Sequence, residues 1–282
     1  MRIMNVDNRL HLLIDDRIVD VEAASGGRFN ADVQSVYARW DDFRRWADSA
    51  TPADGSPLPS AGIGAPVPRP AQIFAIGLNY KDHAAESGLE LPDSPMVFTK
   101  FPAAIAGPYD TIELPPGSVD FEIELVAVIG RRAHRVSEAD GWDYVAGLTV
   151  GQDLSERDLQ LQPPAPQQYN LAKSFTGFAP IGPWLVTPDE LPDRDNIEVG
   201  CLLNGEQMQK AHSGELIFPI PTLVAYLSGI LPLLPGDLIF TGTPSGIGWG
   251  RSPQRFLQPG DELLSYAEGI GSMHHRFSRI AR

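Results

Sequence analysis

In Val119-Asp-Phe-Glu-Ile-Glu-Leu-Val-Ala-Val-Ile-Gly130 every odd position from 119 to 129 is apolar, while Asp120, Glu122 and Glu124 take alternate even positions. Side chains of a strand alternate between its faces, so this spacing predicts an extended segment with three carboxylates on one side and a core face on the other. Two readings fit: a strand half in water, or one whose acidic face binds a cation. Asp and Glu are poor strand formers, and Glu122 and Glu124 would sit about 6.6 Å apart, repelling by roughly 2.5 kcal/mol at an effective dielectric near 20. A divalent cation would reverse that penalty, and oxygen-only ligands suit Mg²⁺, Mn²⁺ or Ca²⁺ better than zinc. Asp153, just past the apolar run Val145–Val150 and Gly151, is a candidate third ligand, although its position equally suits a turn or a helix cap.

Outward from this stretch lie more short apolar runs separated by Gly and Pro: residues 73–78, 96–99, 144–152, 199–203, 238–241 and 262–266. These read as strands, and helical periodicity of any length is confined to residues 222–230, so a β-rich α+β domain with a few packed helices is expected over residues 71–282. Upstream, residues 51–70 contain six prolines and three glycines and read as a linker. Residues 1–50 read as a small N-terminal α/β domain. In it two runs, 10–14 and 17–21, flank the turn pair Asp15–Asp16, and Val33, Val36, Tyr37, Trp40, Phe43 and Trp46 recur at helical spacing.

Residues 79–88 combine a capping-type Asn79, helix-tolerant residues 81–87 and Gly88 as a stop. A single helix there puts His83 and Glu86 on one face, where the carboxylate can hold the imidazole tautomer and raise its basicity toward water. A solvated pair on a surface helix fits the same spacing.

The net charge of −14 and the lack of any Lys/Arg run argue against a nucleic-acid partner or an acidic membrane. With 43% apolar and 21% charged residues the composition is globular, and no run of 18 apolar residues suggests a membrane span. A single cysteine, Cys201, forms no disulfide within the chain, and a cytoplasmic protein is expected. The glycine-rich stretch 242–250 is not followed by a helix start, which removes a dinucleotide site, and Thr243 occupies the position where a nucleophile elbow around Ser245 needs glycine. Lys100 reads as a surface lysine, and Trp142, Trp184 and Trp249 as packing or pocket-wall residues.

Together, Gly-Leu-Asn-Tyr-Lys-Asp-His (77–83), Val-Asp-Phe-Glu-Ile-Glu-Leu (119–125), Gly-Gln-Asp-Leu-Ser-Glu-Arg-Asp-Leu-Gln (151–160), Ala-Lys-Ser-Phe (172–175), Pro-Ile-Gly-Pro (180–183) and Phe-Thr-Gly-Thr-Pro-Ser-Gly (240–246) resemble the fumarylacetoacetate hydrolase family of metal-dependent C–C hydrolases and decarboxylases. The resemblance implies a mixed β-roll catalytic domain, a homodimer, and Mg²⁺ or Mn²⁺ held by Glu122, Glu124 and Asp153. It further implies that His83 with Glu86 activates water and that Gln160, Lys173 and Thr243 contact a small keto-acid substrate, with Lys173 also catalytic. The activity implied is hydrolysis of an acylpyruvate (2,4-diketo acid) to pyruvate and a carboxylic acid. An oxaloacetate-type β-keto acid decarboxylase, a 2-hydroxy-dienoate isomerase and a catalytically silent scaffold are the alternatives. Two departures from the family pattern, Glu156 and the prolines at 163, 164 and 166, are expected to reshape the pocket wall.

Overall fold

Local turn chemistry starts the fold. Asp15 and Asp16 adopt positive φ of 46° and 61°, the backbone that a two-residue type I′ hairpin turn requires and that Asp tolerates. They join strands Arg9–Ile14 and Arg17–Asp20 in the register Leu12 to Val19 and Leu13 to Ile18. Asp7 and Asn8 repeat the device at 49° and 61° and add strand Arg2–Val6 in front. The computed structural model describes residues 1–50, 55–86, 90–163 and 168–280, with the side chains of residues 84–86 outside that description. Residues 87 and 88, expected to end the helix that follows Asn79, and Pro164 and Pro166 also lie outside the described residues.

Among the described residues the N-terminal strands continue into a twelve-stranded sheet. Its main path runs Ser56–Pro57, Arg17–Asp20, Arg9–Ile14, Arg2–Val6, Ala179–Val186, Val145–Gln152, Ile123–Ile129, Leu238–Phe240, Ile73–Gly77, Met96–Thr99. The junction is the antiparallel pair Arg2 to Val186 and Ile3 to Leu185. Within the proline-rich stretch 51–70, Ser56–Pro57 and Ile63–Gly64 form short strands, and Ala65 and Val67 are buried in the main core. The aromatic run 33–46 divides into a 3₁₀ segment Val33–Arg39 and an α-helix Trp40–Ala47. Phe43 is fully buried, edge-on to Phe29 at 5.3 Å and tilted against Trp40 and Trp46.

A five-stranded sheet, ordered Glu206–His212, Glu198–Leu203, Glu262–Ala267, Gly271–Arg279, Thr111–Leu114, shares the core with the first. Side chains cross between the two: Gln152 Nε2 donates to Ser265 Oγ at 2.9 Å, and Ile123 N–H donates to Gln209 Oε1 at 3.0 Å. Helix Ile220–Ile230 begins two residues before its periodicity suggests, with Pro221 in its first turn where no N–H is needed. The result is the β-rich α+β architecture expected from the sequence.

Candidate active site

The acidic segment is not one continuous strand, and all of its side chains are buried. Val119–Asp120 pairs with Ser155–Glu156, regular pairing lapses at Phe121 and Glu122, and Ile123–Ile129 then runs through the middle of the large sheet. At the break Glu122 N–H donates to Gln152 Oε1 and Asp153 N–H donates to the Glu122 carbonyl, both at 2.9 Å. These bonds bring the turn after Val145–Gln152 beside the acidic segment. Glu122, Glu124 and Asp153 are all buried, and one carboxylate oxygen from each lies within 4.8 Å of the others. The half-solvated reading of this strand is therefore corrected: both faces are covered, and the carboxylates are held inside.

Asp120 leaves this cluster. Its carboxylate accepts from Arg157 Nε and Nη2 at 2.9 and 2.7 Å and from the backbone N–H groups of Gly248 and Trp249 at 2.7 and 3.0 Å. It thereby pins the glycine-rich stretch over the site. Gly248 has no alternative there, because a Cβ would lie 1.9 Å from the Arg255 carbonyl oxygen and 2.6 Å from Asp120 Oδ1.

Buried cations face the carboxylates. Lys173 Nζ donates to Glu122 Oε2 at 2.7 Å and Asp153 Oδ2 at 2.6 Å, and Arg157 Nη2 donates to Glu122 Oε1 at 2.6 Å. Lys100 is 1% exposed with its ammonium on Asp153 Oδ1, so the surface-lysine reading is corrected. Nothing in the spacing of Phe-Thr-Lys-Phe around it signals that burial. Desolvation opposes ionisation of Glu122, but Lys173 and then Arg157 outweigh it and hold this carboxyl well below its usual range. For Glu124, burial comes first and the neighbouring Asp153 and Glu122 add to it, so its carboxyl is pushed well above the usual range despite the Gly242 N–H at 2.7 Å. Three converging oxygens, one of them costly to ionise without more positive charge nearby, form a donor set that fits a hard divalent cation.

His83, buried in helix Lys81–Glu86, lines a cavity of about 260 Å³ together with Glu122, Glu124, Gln160, Lys173 and Thr243. Six of the eight expected site residues thus open onto one space; Asp153 joins them through the carboxylate cluster, and the side chain of Glu86 lies outside the described residues. Arg157 Nη1 donates to Gln160 Oε1 at 2.8 Å, which leaves the Gln160 amide NH₂ as the free end for a ligand. Thr243 Oγ1 accepts from Gln209 Nε2 at 2.8 Å, so its own proton is directed elsewhere.

Glu156 does not shape the wall. It caps helix Arg157–Gln160 by accepting from Asp158 and Leu159 N–H, and it also accepts from Ser118 N–H. Arg157, Asp120 and Lys100 are the polar groups that pattern reasoning left without a place in the site. Trp249 lines the cavity, whereas Trp142 and Trp184 pack against the core.

The family model for the fumarylacetoacetate (FAA) hydrolase C-terminal region matches residues 72–278. An oxaloacetate tautomerase of Rattus norvegicus, Fahd2a, described as mitochondrial, is 42% identical over 209 residues, 73% of this chain and 66% of that protein. Among solved structures, a putative HpcE protein from Mycobacterium smegmatis is 54% identical, with a TM-score of 0.95 over the full length of both chains. Maleylpyruvate hydrolase from Sphingobium sp. SYK-6, solved with manganese(II) and pyruvate, is 27% identical with a TM-score of 0.82 over 99% of each chain. The match over residues 72–278 covers every side chain of the cavity and the carboxylate cluster, and the chain belongs to the fumarylacetoacetate hydrolase family.

Proposed function

We propose that this chain is a divalent-metal-dependent hydrolase that splits a carbon–carbon bond of an acylpyruvate, giving pyruvate and a carboxylic acid. The observation that carries the reading is the meeting, in one cavity, of Glu122 and Glu124 with His83, Gln160, Lys173 and Thr243, with Asp153 joined to the two glutamates in one carboxylate cluster. Glu122, Glu124 and Asp153 would hold Mg²⁺ or Mn²⁺, with Ca²⁺ also suited to all-oxygen ligation. When bound, such an ion neutralises charge on the keto-acid head and fixes its orientation.

The chain's own groups do the rest. The Thr243 hydroxyl, its oxygen already occupied by Gln209, is free to donate to the substrate carboxylate. An imidazole nitrogen of His83, oriented by Glu86, takes a proton from water, whose oxygen bonds to the distal carbonyl carbon. The Gln160 amide and Lys173 ammonium donate to the oxygen that becomes negative. The bond from that carbon to the adjacent methylene then breaks, its electron pair enters the departing pyruvate enolate, and a proton from His83 returns to that fragment.

A second reading is favoured by one observation, the 42% identity to a protein named an oxaloacetate tautomerase. Enolisation of a β-keto acid uses the same carboxylates and cations but needs no attacking water, and decarboxylation likewise. The test is to incubate the protein with acetylpyruvate and with oxaloacetate, each with Mg²⁺ or with excess chelator, following pyruvate release and enol absorbance. Metal-dependent pyruvate from acetylpyruvate that disappears in His83→Ala is the expected result. Acetylpyruvate left intact while oxaloacetate tautomerises would replace the first reading with the second.

The working unit we propose is a homodimer in a reducing compartment, where Cys201, buried and free, keeps its thiol. Among the described residues no helix is long and apolar enough to cross a membrane.

A further inference from the structure

The cavity is charged in one part and apolar in the rest. Beyond the site residues it is walled by Met96, Phe98, Leu161, Tyr169, Ile247 and Trp249. Phe98 and Tyr169 lie 6.0 Å apart, centroid to centroid, and the backbone of Trp249 is held by its amide N–H bond to Asp120. Arg157 and Lys173 are the Lys and Arg residues that line the cavity among the described residues, and both are already engaged: Arg157 by Asp120, Glu122 and Gln160, Lys173 by Glu122 and Asp153.

A carboxylate at the far end of a substrate would exchange water for apolar wall and, among the described residues, find no unengaged Lys or Arg lining the cavity, whereas an alkyl or aryl group would gain from burial. We infer that the acyl group of the substrate is uncharged and apolar, so that the chain selects 2,4-diketo acids with a hydrocarbon tail over dicarboxylic ones. This rests on the keto-acid reading above and adds the identity of the tail.

The test is calorimetric and needs no turnover. Full-length protein with Mg²⁺ is titrated with 2-oxohexanoate and with 2-oxoadipate, which share six carbons and differ in ending as methyl or carboxylate. Tighter binding of 2-oxohexanoate, on the order of a hundredfold, is expected, with affinity rising about fourfold per methylene along the series from 2-oxobutanoate. Equal or tighter binding of 2-oxoadipate would overturn the tail assignment while leaving the keto-acid site standing. Binding of neither would overturn the keto-acid reading and this inference with it. Hydrolysis of hexanoylpyruvate against its terminal-carboxylate analogue, measured separately, should follow the same order; the reverse order would count against the tail assignment.

Discussion

Residues 1–50 and the segment 119–124 are both built into the interior, but they fill it with opposite materials. The N-terminal region covers its sheet with Phe29, Val33, Tyr37, Trp40 and Phe43, whose burial is favourable wherever it occurs. The acidic segment buries Asp120, Glu122 and Glu124, which are tolerable only because Arg157, Lys173 and backbone N–H groups converge on them from four other parts of the chain. The first region adds stability through contacts any apolar partner could supply; the second is costly to assemble and is the place where chemistry is available.

Substitution should separate the two. Glu124→Gln keeps shape and removes a ligand charge. Turnover is expected to fall roughly a thousandfold or more, while the urea midpoint stays level or rises, because a carboxyl held against burial and two like charges has been neutralised. A large loss of stability in this variant would erase the contrast. His83→Ala should reduce hydrolysis by about 10² to 10⁴ with Mg²⁺ affinity by calorimetry little changed. Phe43→Ala should show the converse: roughly 3–5 kcal/mol of stability lost by urea unfolding, and unaltered kcat in the protein that remains folded.

An acid limb provides a smaller effect. His275 is fully buried in strand Gly271–Arg279 with Nε2 3.0 Å from the Gly107 carbonyl, and burial lowers its pKa to about 4. An unfolded histidine titrates near 6.5, so between those values the unfolded chain binds the extra proton and stability falls as pH drops. A loss of about 3 kcal/mol between pH 7 and pH 4 is expected from this group. It should be reduced in His275→Gln, as read from urea unfolding at a series of pH values. Smallest of all, Asp16→Gly should raise stability by about 0.5 kcal/mol, since glycine adopts the positive φ of that turn at no steric cost.

What could be read in advance follows the range of the interaction. Turn chemistry at Asp15–Asp16, alternation at 119–125 and apolar runs such as Met96–Thr99 are local, and strands stand there. Strand Ala179–Val186 has Pro180, Gly182 and Pro183 within it, so its composition points away from a central strand, yet it pairs with Val145–Gln152 and Arg2–Val6. Its place is set by partners distant in sequence. In the site, the carboxylates announce themselves by spacing, and Gln160, Lys173 and Thr243 were reached through the family resemblance. The burial of Lys100 and the four-fold grip on Asp120 depend on segments that meet only when folded.

The pairing of Arg2–Val6 with Ala179–Val186 also governs how the protein can be cut. The family-model match begins at residue 72, which invites a shortened fragment starting there. Such a fragment would leave the Leu185–Val186 end of strand Ala179–Val186 with bare N–H and C=O groups where Arg2 and Ile3 had paired, a template for another molecule to add on. Trimming to residues 72–278 would thus yield aggregates in place of a smaller enzyme.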